Sequence, residues 1–169
     1  MAEEACTDCG FDWGSVTIGQ LADRLGDLAG RYRAALTSTP EADLRRRPAP
    51  DVWSALEYAC HTRDVLLAQR ERIYLALVEE RPSFARMNRE ERVVLARYAE
   101  ESPADVAVEL DLAFGLVTTA LTGRSDDDWR RLLIYNYPGP QEHDLAWLAR
   151  HTVHECEHHY VDIRRGLES

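Results

Sequence analysis

Apolar residues recur at steps of three and four in four long stretches of this chain. The first begins at Thr17, where Ile18, Leu21, Leu25, Leu28, Tyr32 and Leu36 line one face of an amphipathic helix that ends before Pro40. A proline-bearing connector, RRRPAPD from Arg45 to Asp51, leads to a second helix capped by Asp51 or Ser54, running to about Glu80 and stopped by Pro82. Residues 81–101 read as a loop with a short helix. Ser102, Pro103 and Asp105 open a third helix, serine as N-cap and proline at the first helical position, which carries Leu110, Phe114, Val117 and Leu121 as far as Gly123. Ser125 to Arg131 forms one or two turns. LLIYNYPGP is the one strand-like piece, and its proline and glycine favour an ordered loop. The last helix spans about Asp144 to Leu167.

Four long amphipathic helices with little strand predict an all-α fold, a four-helix bundle of antiparallel type with at least one longer crossover connection. Residues 1–15 contain CTDCGFDWGS, do not read as helix, and form an N-terminal CxxC-containing extension; residues 16–169 form the bundle. The length of 169 residues suits a single core. The surplus of 30 acidic over 20 basic residues, a net charge of −10, argues against a nucleic-acid partner, which demands a basic surface. The longest apolar runs, Ile73 to Val78 and Leu112 to Val117, are too short for a membrane span, and no apolar secretory stretch follows Met1. The expected compartment is therefore cytoplasmic. There the four cysteines, Cys6, Cys9, Cys60 and Cys156, do not make a disulfide framework. All 20 basic residues are arginine, which points to a high-GC bacterial genome.

Candidate chemistry concentrates near the C-terminus. Five of the six histidines, His143, His151, His154, His158 and His159, lie in or beside the last helix. Trp147, His151, His154, His158 and Val161 follow steps of four, three, four and three, one stripe that should face the core. Imidazoles without partners in an apolar core cost roughly 1–3 kcal/mol each. A divalent metal satisfies several at once, and an i, i+4 pair on a helix presents two nitrogens to one ion. The expected ligands are His154 and His158, with His61 of the second helix as the third. Three ligands leave open positions, the arrangement of a catalytic site. His151 is a further ligand, an outer-sphere group or a substrate contact, and Asp64 or Glu155 can orient an imidazole. The register pairing Glu155 with His159 is ~100° around the helix and reads as weaker, because Thr152 and Asp162 make that face polar. His143 and His159 are expected to face solvent or a helix end. The plain alternative is hydrogen-bonded core imidazoles, with Glu57, Asp64, Glu155 and Asp162 as partners.

Cys6-Thr-Asp-Cys9-Gly resembles half of a zinc knuckle. It offers a second metal site, a redox pair, a metal-delivery pair, or a lid whose thiols reach the histidines from outside the bundle; otherwise it is two inert thiols on a tail. Cys156 is ~160° around the helix from both His154 and His158, so it and Cys60 read as small core residues.

The pieces VWSALEYACHTRD and RHTVHECEHHYVDI resemble the DinB/YfiT-like superfamily of four-helix proteins over about residues 16–169. The resemblance implies the same trio, His61, His154 and His158, as metal ligands. The ending HHYVD is also similar to mycothiol-dependent maleylpyruvate isomerases, whose ligand set has a Glu at the place His154 occupies. No counterpart of those enzymes' C-terminal domain is visible, which argues against that particular reaction. The group includes thiol S-transferases, so the resemblance implies a metal-dependent enzyme transferring a low-molecular-weight thiol, such as mycothiol, to a small electrophilic substrate. Zinc is the first choice of metal, with nickel, iron or manganese behind it. Arg63, Tyr135 and Tyr137 are expected to line the pocket. The alternatives are a non-catalytic metal-binding or stress-response protein and a metal-dependent hydrolase using the same three histidines. Pairing into a homodimer is left open.

Overall fold

The computed structural model describes residues 5–168. Its helices are α1 (Leu21–Ser38), α2 (Glu41–Arg45), α3 (Ala55–Val78), α4 (Arg89–Leu95), α5 (Pro103–Leu121), α6 (Asp126–Trp129) and α7 (Leu145–Glu168). The long ones, α1, α3, α5 and α7, form the bundle. Helix α3 packs against α5 and α7, and α1 packs against the same two. Consecutive helices α1 and α3 therefore lie across the bundle from each other, and the connector around α2 crosses over. No described helix is long and apolar enough to cross a membrane.

Each long helix starts and buries itself for legible reasons. In α1 the buried residues are Leu21, Leu25, Leu28, Tyr32 and Leu36, the predicted stripe. Ser54 caps α3 and exchanges bonds with Glu57 in a capping box. Ser102 caps α5, with Pro103 in the first turn.

Two expectations are corrected. LLIYNYPGP is not only loop: β2 (Leu132–Tyr135) pairs parallel with β1 (Ser83–Phe84) and antiparallel with β3 (Gln141–Asp144). The proline and glycine occupy the turn between β2 and β3. The strand partner QEHD has almost no β-forming residues, so this pairing is held by context rather than propensity. Secondly, the stripe of α7 in the core is not Trp147–His151–His154–His158. It is Leu145, Leu148, Ala149, Thr152, Cys156, His159 and Ile163. Thr152 is admitted because its hydroxyl donates to the Leu148 carbonyl at 2.8 Å, which hides the polar atom within the helix. The histidine stripe faces the flank, where residues 6–16 cover it; Phe11 and Val16 of that segment are buried with the core. Cys60 and Cys156 are core residues, fully buried.

Glu57 anchors the start of the helix that carries His61. Its buried carboxylate accepts from Arg47 Nε at 2.8 Å, from Arg47 Nη2 at 2.5 Å and from the Ser54 amide at 2.8 Å. Burial alone would raise its pKa, but the Arg47 and Ser54 bonds outweigh it and hold the carboxyl below its ordinary 4.5. That stabilisation is full above pH 4.5 and is lost as pH falls through the lowered native value. Glu57→Ala should lower stability by about 1–3 kcal/mol at neutral pH. The deficit against wild type should shrink in strong acid. Urea denaturation at both pH values checks this, and an equal deficit at both would contradict it.

Candidate functional site

His61 of α3 and the pair Glu155 and His159 of α7 converge where these helices pack, with one ligand atom of each within 4.8 Å of the others. The rings of His61 and His159 are 4.9 Å apart, Trp53 stands edge-on to His61 at 5.1 Å, and Tyr58 stacks on His159 at 5.5 Å. His159 Nδ1 lies 3.1 Å from Asp162 Oδ2, which assigns its proton to Nδ1. Its Nε2 lies 3.9 Å from Glu155 Oε2.

His61 is buried, and its Nδ1 makes no hydrogen bond. Burial, then the neighbouring His159, pushes His61 down to about 3, so it is neutral at physiological pH. Burial pushes Glu155 the other way, yet the imidazoles of His151, His159, His154 and His61 prevail and hold it below the usual carboxylate range. Two imidazoles and one carboxylate, with an orphaned ring nitrogen on His61 among them, fit a divalent cation. The Asp162–His159 bond is the outer-sphere carboxylate that such ligands use.

A cavity of about 320 Å³ opens beside this cluster, with His61 and Glu155 in its wall. Val65, Phe84 and Met87 supply apolar lining, and Arg72, Arg86, Arg89, Tyr135 and Tyr137 supply polar groups. Arg72 ties α3 to the sheet over the cavity. Its guanidinium donates to the Ala85 carbonyl at 2.6 Å and to the Tyr135 hydroxyl at 3.1 Å. That hydroxyl is in turn 3.2 Å from His151 Nε2, and burial raises its pKa, so it keeps its proton.

The expected trio is parted. His61 sits with Glu155 and His159, whereas His154 and His158 gather with Cys6 and Cys9. Rotation of α7 by one residue separates the two readings, because Glu155 and His159, not His154 and His158, flank the core-facing Cys156. His159, expected at the surface, is buried. The usable signal was the core stripe through Leu148, Ala149, Cys156 and Ile163, on which His159 falls. His151 lies against Tyr135, with its Nε2 3.8 Å from Glu155 Oε1. His143 stacks on Trp147 at 3.5 Å.

Tyr135 and Tyr137 do line the cavity, but Arg63 does not. Arg63 is bound to Glu101 at 2.8 Å, to Glu109 at 2.5 Å and to Asp64 at 3.0 Å, bracing α3 against α5 and the loop before it. Asp64 is occupied by Arg63 and by the Tyr98 hydroxyl at 2.6 Å, so no imidazole is oriented by it.

The profile of the DinB superfamily matches residues 24–163. Among solved structures, the chain is similar to YfiT from Bacillus subtilis, described as a probable metal-dependent hydrolase with an unusual four-helix bundle topology. The TM-score is 0.79 at 17% identity, over 90% of this chain and 88% of YfiT. It is also similar to a mycothiol-dependent maleylpyruvate isomerase, with a TM-score of 0.72 at 13% identity, over 89% of this chain and 62% of the isomerase. At these identities the likeness is one of fold. No curated protein matches the chain in sequence.

Tyr135→Phe removes an acceptor from the buried Arg72 and the hydroxyl that lies 3.2 Å from His151 Nε2. It should cost about 1–3 kcal/mol of stability. An unchanged denaturation midpoint would show that the Arg72–Tyr135–His151 chain carries no stabilisation.

Proposed function

The chain belongs to the DinB superfamily, and from that premise we propose that it is a metal-dependent enzyme transferring a low-molecular-weight thiol, of mycothiol type, to a small electrophilic substrate. The observation that carries this reading is the His61–Glu155–His159 cluster at the wall of a cavity. Three protein donors leave room on an ion for a reactant, whereas a storage or sensor site has no need of the cavity. The isomerase of similar fold is described as mycothiol-dependent, which favours a thiol as that reactant.

Bound by these residues, a divalent cation, zinc first, supplies positive charge that favours the anionic form of a thiol or of water. The protein's part is positional. Asp162 fixes the His159 ring, and Glu155 brings the negative charge that offsets a cation in a partly apolar wall. Tyr135 presents a protonated hydroxyl beside His151, a donor for charge that develops on an electrophile. Arg86, held by the Asn136 carbonyl at 3.0 Å, and Arg89, paired with Glu90 at 3.1 Å, place guanidinium donors in a wall that also carries Glu90 and Glu91. Val65, Phe84 and Met87 exclude water.

A second reading, metal-dependent hydrolysis at the same cluster, is favoured by the likeness to YfiT, which this chain matches over more of its partner's length than it does the isomerase.

Metal analysis of protein purified without a histidine tag or added metal tests the assignment. His61→Ala and His159→Ala should each lose the ion of the bundle site. Asp162→Ala should keep it about 10–100-fold less tightly, read by chelator competition. Loss of free mycothiol against a panel of electrophiles, run beside ester hydrolysis, then separates the two readings. Undiminished metal in His61→Ala would remove the site, and hydrolysis without thiol consumption would favour the second reading.

A further inference from the structure

We propose that Cys6, Cys9, His154 and His158 form a second metal site, a closed four-ligand zinc site that straps the N-terminal segment to α7. One ligand atom from each of the four lies within 4.8 Å of the other three. A tetrahedral zinc with Zn–S of about 2.3 Å and Zn–N of about 2.0 Å separates neighbouring ligand atoms by roughly 3.3–3.8 Å. Cys6 Sγ and His158 Nδ1 are 3.7 Å apart, the edge of such a tetrahedron.

The backbone on the cysteine side is shaped for this. Gly10 N donates to the Cys6 carbonyl at 2.8 Å, and Cys6 N donates to the Phe11 carbonyl at 2.8 Å. This tight turn needs Gly10 at φ +76°, a conformation that a side chain would strain. It turns both thiols toward α7. On the helix side, His154 and His158 are an i, i+4 pair. Both ring nitrogens of His154 are buried without a hydrogen bond, though Phe11 and Trp13 pack on the ring at 5.1 and 5.0 Å. Aromatic packing explains a ring at this place but not two orphaned nitrogens. A coordinated ion satisfies one of them and the four-donor set together. His158 Nε2 faces Asp162 Oδ2 at 3.7 Å, so a carboxylate stands behind this ligand too.

All four positions of the tetrahedron are filled by protein, which leaves no place for a reactant. This ion is structural. Glu155 and His159 are the next residues in the chain after His154 and His158, so two i, i+4 pairs offset by one residue serve two ions from two faces of one helix.

Cobalt substitution of the full chain reads the site directly. Tetrahedral cobalt with thiolate ligands gives intense visible bands and a sulfur-to-cobalt charge-transfer band in the near ultraviolet. Cobalt-loaded wild type should show that band, and Cys6→Ser/Cys9→Ser should lose it together with one equivalent of zinc by elemental analysis. His159→Ala should keep the band. His158→Cys, which preserves a ligand, should keep the ion with stronger charge transfer. Wild type lacking the charge-transfer band would overturn the proposal without reference to any variant. So would a double cysteine variant that retains every equivalent of zinc, or a band lost in His159→Ala and kept in Cys6→Ser/Cys9→Ser.

Discussion

The rotational setting of α7 about its own axis decides which side chains meet which partners, and apolar packing fixes it. Leu145, Leu148, Val153, Cys156 and Ile163 are buried against the other helices. A turn of one residue, ~100°, would drive His154 and His158 into the core and lift Cys156 and His159 out of it. The helix therefore presents Glu155 and His159 to α3, and His154 and His158 to the segment at residues 6–16. The Tyr32 hydroxyl adds a polar check on this setting, since it donates to the Cys156 carbonyl at 2.8 Å and lies 3.0 Å from Thr62 Oγ1. One buried hydroxyl thus ties α1, α3 and α7 at the level of the histidines, where an unpaired oxygen would be costly.

Polar groups this close together inside a bundle have to solve an electrostatic problem. Protonated imidazoles would repel one another and be penalised by burial, which is why His61 and His154 are both held below the ordinary histidine range, burial being the largest cause in each. Their neutral forms have lone pairs to place. Asp162 settles one nitrogen of His159 and faces one of His158, but among the described residues no hydrogen bond reaches His61 Nδ1 or the ring nitrogens of His154. The remaining demand falls at two points, one in the α3–α7 interface and one under the N-terminal segment.

The fold was largely legible because its signals are local. Ser54 with Glu57, Ser102 with Pro103, and the α1 stripe each announce a helix through backbone chemistry confined to a few residues. The strand at Leu132–Tyr135 was not, since its parallel partner Ser83–Phe84 is distant in sequence and its hairpin partner Gln141–Asp144 has almost no β-forming residues. Histidines on α7 were legible as a cluster. Their division was not, because judging which face is buried by counting polar residues misplaces Thr152, whose hydroxyl is satisfied within the helix. Arg63 and Asp64 misled for a related reason. Near His61 in sequence, they turn away from it toward Glu101, Glu109 and Tyr98, and an ion-pair network between distant helices leaves no mark on spacing.

The two clusters on α7 differ in what the rest of the chain brings to them. The core side receives one residue, His61, and a cavity; the flank receives two thiols and a cover of Phe11 and Trp13. Donor count follows from that difference, three on one side and four on the other, and with it the room left for a reactant. Cys6 and Cys9 lie outside the residues matched to the DinB superfamily, 24–163, whereas every other donor lies within them. The bundle can thus set Glu155 and His159 against His61 with its own packing, while the flank pair needs residues beyond it. Asp162 is where the two meet: a single carboxylate, three residues from His159 and four from His158, faces both rings. A change in its charge or position acts on both clusters at once, so the two faces of α7 are coupled through one side chain rather than through movement of the bundle.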